Sequence, residues 1–415
     1  MKNFEILTLE LRNITPTIIG GYKATTFSPS LGIAERFRVS ELKGVWRWWF
    51  RALAAGALWD AYGSVNENCV KESVRAVLGS TKAPSKFILQ AYPKKEESPK
   101  PLARDTSLPP RLSLLIRKKD KDKRDIENVR YYEAGDLEYS LKLFKQPGME
   151  LKGDELRTGI GSLLMALTFQ GVGAITRRGF GAWEIKVCED CVGERYASEL
   201  EDYIRIINEL SRVKSHEAAR EIIKRLVQLA NNDFSRFMGV SGAERGGTAK
   251  DIPPFPLVSM DSNIFRLSIR YVRASSSMDL LTKIGAATLK ATWKRRLRHP
   301  SHSGEIHTWI LGLPRGQKIS RDKGVQKHGY MVDYRIPEFG RRPSAIAIHP
   351  LKRLLNDGWI CLLYGFLSRD WPEVLYHVSL ERRRVERPPV EIRTLDHIRE
   401  IFNEAFRKVE ECLSQ

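Results

Sequence analysis

The stretch Asp154–Val187, DELRTGIGSLLMALTFQGVGAITRRGFGAWEIKV, sets a helix, a glycine loop and a strand in direct succession. Leu156, Ile160, Leu163, Leu164 and Leu167 recur at helical spacing, and Asp154 is placed to cap that helix, which runs to Gln170. Gly171 to Gly181 breaks the pattern, and Ala182 to Val187 reads as a strand. Helix then strand is the closing half of a βαββαβ unit if a strand, a helix and two strands precede it.

Working outward, they do. Leu7, Leu9 and Leu11 alternate with Thr8, Glu10 and Arg12, a half-buried strand that ends in breaks at Thr15-Pro16 and Gly20-Gly21. Arg38–Leu53, RVSELKGVWRWWFRAL, is a helix with Ser40 as cap and Glu41 in its first turn, and it runs on to about Trp59. A short helix over Cys69–Leu78 and strands over Phe87–Tyr92, Arg111–Arg117 and Leu137–Leu143 follow. The Pro-rich residues 93–110 are an exposed loop, and Lys118–Asp125, KKDKDKRD, is a solvated hairpin tip.

Beyond the unit, Tyr196–Ala230 predicts two amphipathic helices split near Lys214-Ser215, and 231–256 is a Gly- then Pro-rich linker. Phe265, Leu267, Ile269 and Tyr271 then alternate as a strand, and Ser276 with Asp279 opens a helix that ends in TWKRRLRH. His307–Leu313 predicts a strand, PRGQKISRDKGVQKHG a basic loop, and Arg341–His349 and Trp359–Phe366 lead into two further strands. Thr394, with Asp396 in the first turn, starts a last helix ending near Cys412. The expected fold is α+β: two tandem ferredoxin-like (βαββαβ, RRM-like) domains with helical and loop insertions. Residues 1–190 form the first, 191–256 a helical insertion and linker, and 257–415 the second.

The 415 residues carry 69 Lys and Arg against 50 Asp and Glu, a net charge of +19. Such an excess speaks of partners, and nucleic acid is the obvious polyanion, although a charge-rich surface alone would show the same excess. No run approaches the roughly 18 apolar residues of a membrane span. The N-terminus reads as a strand without a cleavage site, so a cytoplasmic location with no membrane partner is expected. Five cysteines are too sparse and odd in number for a disulfide framework, and the lone Cys188-Glu-Asp-Cys191 reads as a chance spacing at a strand end. No HExxH, Walker A or GxSxG pattern occurs. Neither a metal site nor a cofactor is expected.

Two features point to an anion. Lys43, Arg47 and Arg51 recur at i, i+4 and i+8, a cationic stripe on an otherwise apolar helix, and Lys290, Lys294 and Arg298 repeat that stripe in the second half. Snorkelling to solvent is the plainer account of such cations. Gly171, Gly173, Gly179 and Gly181 let a backbone approach phosphate, and Arg177 and Arg178 between them have the donors to clamp it. A helix cap followed by a bulged strand is the plainer account of the glycines. Arg178-Gly-Phe180-Gly also imitates part of an RNA-recognition signature, with Phe180 as a base-stacker, and Arg341 before a strand is a further phosphate candidate. His299, His302 and His307 cluster in one loop. They are candidates for general acid–base RNA cleavage, or plain polar loop residues.

Gly171–Gly181 resembles the glycine-rich loop of the RAMP superfamily of CRISPR proteins. The Arg47-Trp48-Trp49-Phe50-Arg51-Ala52 run is similar to the basic helix after the first strand in the first-numbered subunit of the Cmr (type III-B) effector complex. That resemblance implies two packed ferredoxin-like domains forming a basic cleft, held near guide RNA (crRNA) and target single-stranded RNA among other Cmr subunits. It implies a role that is not that of the cleaving subunits. The expectation is therefore a non-catalytic RNA-binding subunit. The alternatives are a metal-free RAMP endoribonuclease that processes guide precursors, and a general single-stranded RNA-binding protein.

Overall fold

The computed structural model describes residues 4–20, 26–28, 31–101, 130–188, 191–241, 251–289, 292–293, 308–312, 315–321, 324–331, 343–379, 384–385, 390–392 and 394–414. In the first unit β1 (Glu5–Asn13) leads to α1 (Val39–Tyr62) and α2 (Glu67–Leu78), then to β2 (Phe87–Glu96), β3 (Leu137–Lys145), α3 (Gly153–Phe169) and β4 (Trp183–Val187). The sheet is antiparallel in the order β2-β3-β1-β4. Leu9 opposes both Leu141 and Val187, so the predicted alternation sets the register.

The helices start slightly earlier than their expected caps. Arg38, not Ser40, is the N-cap of α1, and Lys152, not Asp154, that of α3, where Glu155 closes a capping box. Trp46 and Trp49 are buried, and the Trp46 indole donates to the Gly159 carbonyl at 2.9 Å and to Ser162 Oγ at 2.9 Å, pinning α1 on α3. The helices α4 (Glu194–Arg212) and α5 (His216–Phe237), split at Ser215 as expected, lie against β4, α3 and α1.

The second unit runs β5 (Phe265–Arg273), α6 (Ser277–Ala287), the hairpin β6 (Arg315–Arg321) and β7 (Gly324–Met331), then β8 (Ile346–Arg353), β9 (Gly358–Phe366), β10 (Val374–Ser379) and α7 (Leu395–Leu413). Its sheet has the order β8-β9-β5, all antiparallel, which repeats the first three positions of the first sheet; no fourth strand pairs with it among the described residues. Residues 315–331, expected as a loop, pair as β6 and β7 with Ser320 opposite Val325. Their polar sequence carries no alternation that would mark a strand. Thr308–Leu311 is a 3₁₀ turn rather than the expected strand, with Trp309, Ile310 and Leu311 all buried.

One aromatic cluster joins the two sheets: Trp49 meets Phe169 at 5.1 Å, Phe169 meets Tyr364 at 5.4 Å, and Phe265 stacks on Phe366 at 5.1 Å. Cys188 and Cys191 form a disulfide, a correction to the chance reading of that spacing. The chain turns back after β4, with Cys191 N–H on the Cys188 carbonyl at 3.0 Å, which brings the two sulfurs together. The expected strand at 111–117, the charge run at 118–125, Lys290, Lys294, Arg341 and the His299–His307 cluster lie outside the described residues.

Candidate nucleic-acid interface

The cationic stripe divides by partner. Arg47 is half-buried and donates to the carbonyls of Leu78 at 2.5 Å and Gly79 at 2.8 Å, closing the C-terminal end of α2. Burial, and then the neighbouring charge of Arg51, lower its pKa. Lys43, half-buried, and Arg51, exposed, have no protein partner among the described residues. Of the three predicted contacts, these two donate to no described residue, while Arg47 is committed to holding two helices together.

The glycine loop is built for packing. Gly171 and Gly181 have φ of 68° and 62°, and a Cβ on either would lie 2.0 Å and 1.9 Å from the carbonyl oxygens of Gly181 and Val172 respectively. The two arms of the loop touch backbone to backbone, and Val172 N–H donates to the Gly181 carbonyl at 3.0 Å. Gly173 and Gly179 also have positive φ. The cap-and-turn account of these glycines therefore holds without a phosphate.

The clamp reading of the two arginines is corrected likewise. Arg178 is 6% exposed; its guanidinium donates to the carbonyls of Arg177, Ile346 and Leu311 and to Ser344 Oγ, all at 2.8–2.9 Å. Arg177 donates to the Ser344 carbonyl and lies 5.6 Å over the Trp48 ring, and burial lowers its pKa. Ile348 N–H donates to the Arg177 carbonyl at 3.1 Å, so the loop adds a rung to the edge of the second sheet. Both arginines face inward onto the other unit. Phe180 is 1% exposed, a core residue rather than a base-stacker.

The glycine loop nevertheless touches the helix that carries the stripe. The carboxyl of Glu41, two residues before Lys43, accepts from the backbone of Gly173. Burial raises its pKa, opposed by that bond and by Arg38. The apex Gly173–Thr176 lies beside the first turn of α1, with Ala174 exposed and Ile175 in the left-handed region at φ 62°. Arg38, which donates to the Gly20 carbonyl at 2.7 Å, completes this end. Sequence reasoning passed over Arg38 as a contact, although its place at a helix start after a Gly-Gly break was a usable signal. Beneath the loop His349 is 1% exposed, neither ring nitrogen has a hydrogen-bond partner among the described residues, and burial pushes its pKa down to about 3. Among the described residues no group of His, Cys, Asp and Glu could hold a metal ion, and no helix is long and apolar enough to cross a membrane.

Residues 10–184, which hold both the stripe and the glycine loop, match the family model of the RAMP superfamily, as the loop's resemblance implied. The full chain is similar in fold to solved members of Cmr assemblies. It aligns over 99% of its length with all of one chain in a cryo-EM structure of the type III-B Cmr-β complex bound to cognate target RNA and AMPPnP in the presence of ssDNA, at 15% identity and a TM-score of 0.58. A second Cmr-β structure, bound to cognate target RNA, gives 14% identity, 99% and 100% coverage and a TM-score of 0.57. The crystal structure of apo Cmr1 from Pyrococcus furiosus gives 19% identity, 94% and 98% coverage and a TM-score of 0.51. No curated protein matches the chain.

Proposed function

We propose that this chain is a non-catalytic, RNA-binding subunit of a cytoplasmic type III-B CRISPR (Cmr) effector complex. In this role it contacts guide RNA and target single-stranded RNA beside other Cmr subunits. The observation that carries the reading is the pair of uncommitted cations, Lys43 and Arg51, on a helix locked beside the RAMP glycine loop. The net charge of +19 and the likeness to chains of RNA-bound Cmr-β complexes support it. The repeated strand order supports two ferredoxin-like units in tandem, with the second docked on the first through Arg177 and Arg178.

RNA crosslinking with mass spectrometry of the adducted peptides tests the reading. Adducts are expected in 38–53 and at the loop apex 173–176, and adducts confined to 93–125 would overturn it. Incubation of the pure protein with repeat RNA in EDTA is expected to leave the RNA intact. Cleavage lost on a His→Ala change would instead favour the metal-free endoribonuclease.

A further inference from the structure

We propose that the cleft between α1, α2 and the segment 251–258 seats a single unpaired nucleobase. This rests on the RNA-binding reading and names a subsite within it. The cavity, about 280 Å³, is lined by Trp48, Arg51, Val70, Lys71, Phe255 and Pro256 among others. That is just under the volume of sites for drug-sized ligands, about 300–1,000 Å³, so it suits one ring system rather than a larger group.

Its apolar walls are fixed before any ligand arrives. Trp46 and Trp49 are 2% and 0% exposed, whereas Trp48, on the same helix, is only half-buried and borders the cleft. Trp48 packs edge-on against Trp49 at 5.2 Å and Phe366 at 5.4 Å, and Arg177 sits over its ring. Phe255 and Pro256, also half-buried, supply another wall. Their segment is clamped to α1: Val258 N–H donates to the Ala52 carbonyl at 3.0 Å, and a Cβ on Gly56 would lie 1.7 Å from the Val258 carbonyl oxygen. Two aromatic rings held this way lose little freedom on binding, which favours stacking.

The rim selects the occupant. Arg51 has no protein partner among the described residues, and Lys71 is held only by an exposed pair with Glu67 at 3.2 Å. An apolar slot with two cations at its mouth, Arg51 unpaired among the described residues and Lys71 paired with Glu67 of the same lining, fits a flat ring tethered to an anion. An apolar protein side chain would leave those cations unused. The apolar walls carry no fixed pattern of donors and acceptors, so the seat tolerates any base, as stacking platforms do.

The test compares equilibrium binding of the full chain to a single-stranded RNA 15-mer and to an abasic 15-mer with the same backbone, at one salt concentration. Stacking worth about 1–3 kcal/mol per base predicts a preference of roughly 5- to 150-fold for the base-bearing strand. Trp48→Leu and Phe255→Leu are expected to bring that ratio close to one. Phe255, half-buried on an irregular segment outside α1, gives a second variant that keeps the test decisive if Trp48→Leu does not fold. A folded Phe255→Leu variant with the wild-type ratio, or a wild-type protein that binds both strands equally, would overturn the seat and leave backbone binding standing. A wild-type protein that binds neither strand at low salt would overturn the RNA-binding reading itself.

Discussion

Arg178, in the glycine loop, donates through Nη1 to the carbonyl of Ile346 at 2.8 Å, across 168 positions of sequence, and so ties the first unit to the edge strand of the second sheet. Its bonds to Leu311 and Ser344 end on the same unit, and a fourth, to the Arg177 carbonyl, stays within the loop. Arg178→Ala removes three hydrogen bonds from a buried guanidinium to the second unit and is expected to cost on the order of 3 kcal/mol in urea unfolding. Arg178→Lys is expected to recover little, because one ammonium cannot reach the carbonyls that the guanidinium fork spans. A change under about 0.5 kcal/mol for Arg178→Ala would show that the bond network does not hold the units together.

Arg47 and Arg51 separate stability from binding. Arg47→Ala removes the cap on α2 and is expected to lower stability by about 1–2 kcal/mol. Arg51→Ala, at an exposed position, is expected to stay within about 0.5 kcal/mol of wild type and to weaken single-stranded RNA binding. Melting curves and filter binding on the same two variants check this, and the reverse assignment would refute it.

Gly171 and Gly181 face each other across the loop, and each lacks room for a methyl group. Gly181→Ala is expected to destabilise the chain by more than the roughly 1 kcal/mol that a left-handed alanine costs, because the loop arms must also part. Thermal unfolding reads this, and an unchanged melting temperature would show that the loop has slack.

His349 predicts a pH dependence. Its folded pKa, about 3, lies below the ordinary value of 6.5. The unfolded chain takes up a proton as pH falls through about 6.5 and the folded chain does not, so stability is full above that pH and is lost below it. The slope from this residue approaches about 1.4 kcal/mol per pH unit between pH 6 and 4. Urea unfolding at pH 7.5, 6.5 and 5.5 is expected to be flatter for His349→Leu than for wild type. Parallel curves would remove His349 from the account.

Local patterns were legible in the sequence and long-range partners were not. The alternation of Leu7, Leu9 and Leu11 and the helical spacing of Leu156 to Leu167 marked their elements because burial of one face dictates both. The stripe of Lys43, Arg47 and Arg51 was legible as charge, but the partner of Arg47 lies about thirty residues away on another helix, and nothing local signals it. The glycines were legible as a loop, but their cause is a backbone contact between its own arms. Arg177 and Arg178 resemble anion ligands in sequence because a pair of arginines in a glycine-rich loop carries no mark of the carbonyls that meet them after folding.

The most direct test of the central claim is the salt dependence of single-stranded RNA binding by the wild type and by Lys43→Ala/Arg51→Ala. The account predicts that log affinity falls linearly with log salt, and that the double variant's slope is shallower by about 1.4, some 0.7 for each lost phosphate contact. Affinity independent of salt, or a double variant with the wild-type slope, would contradict it.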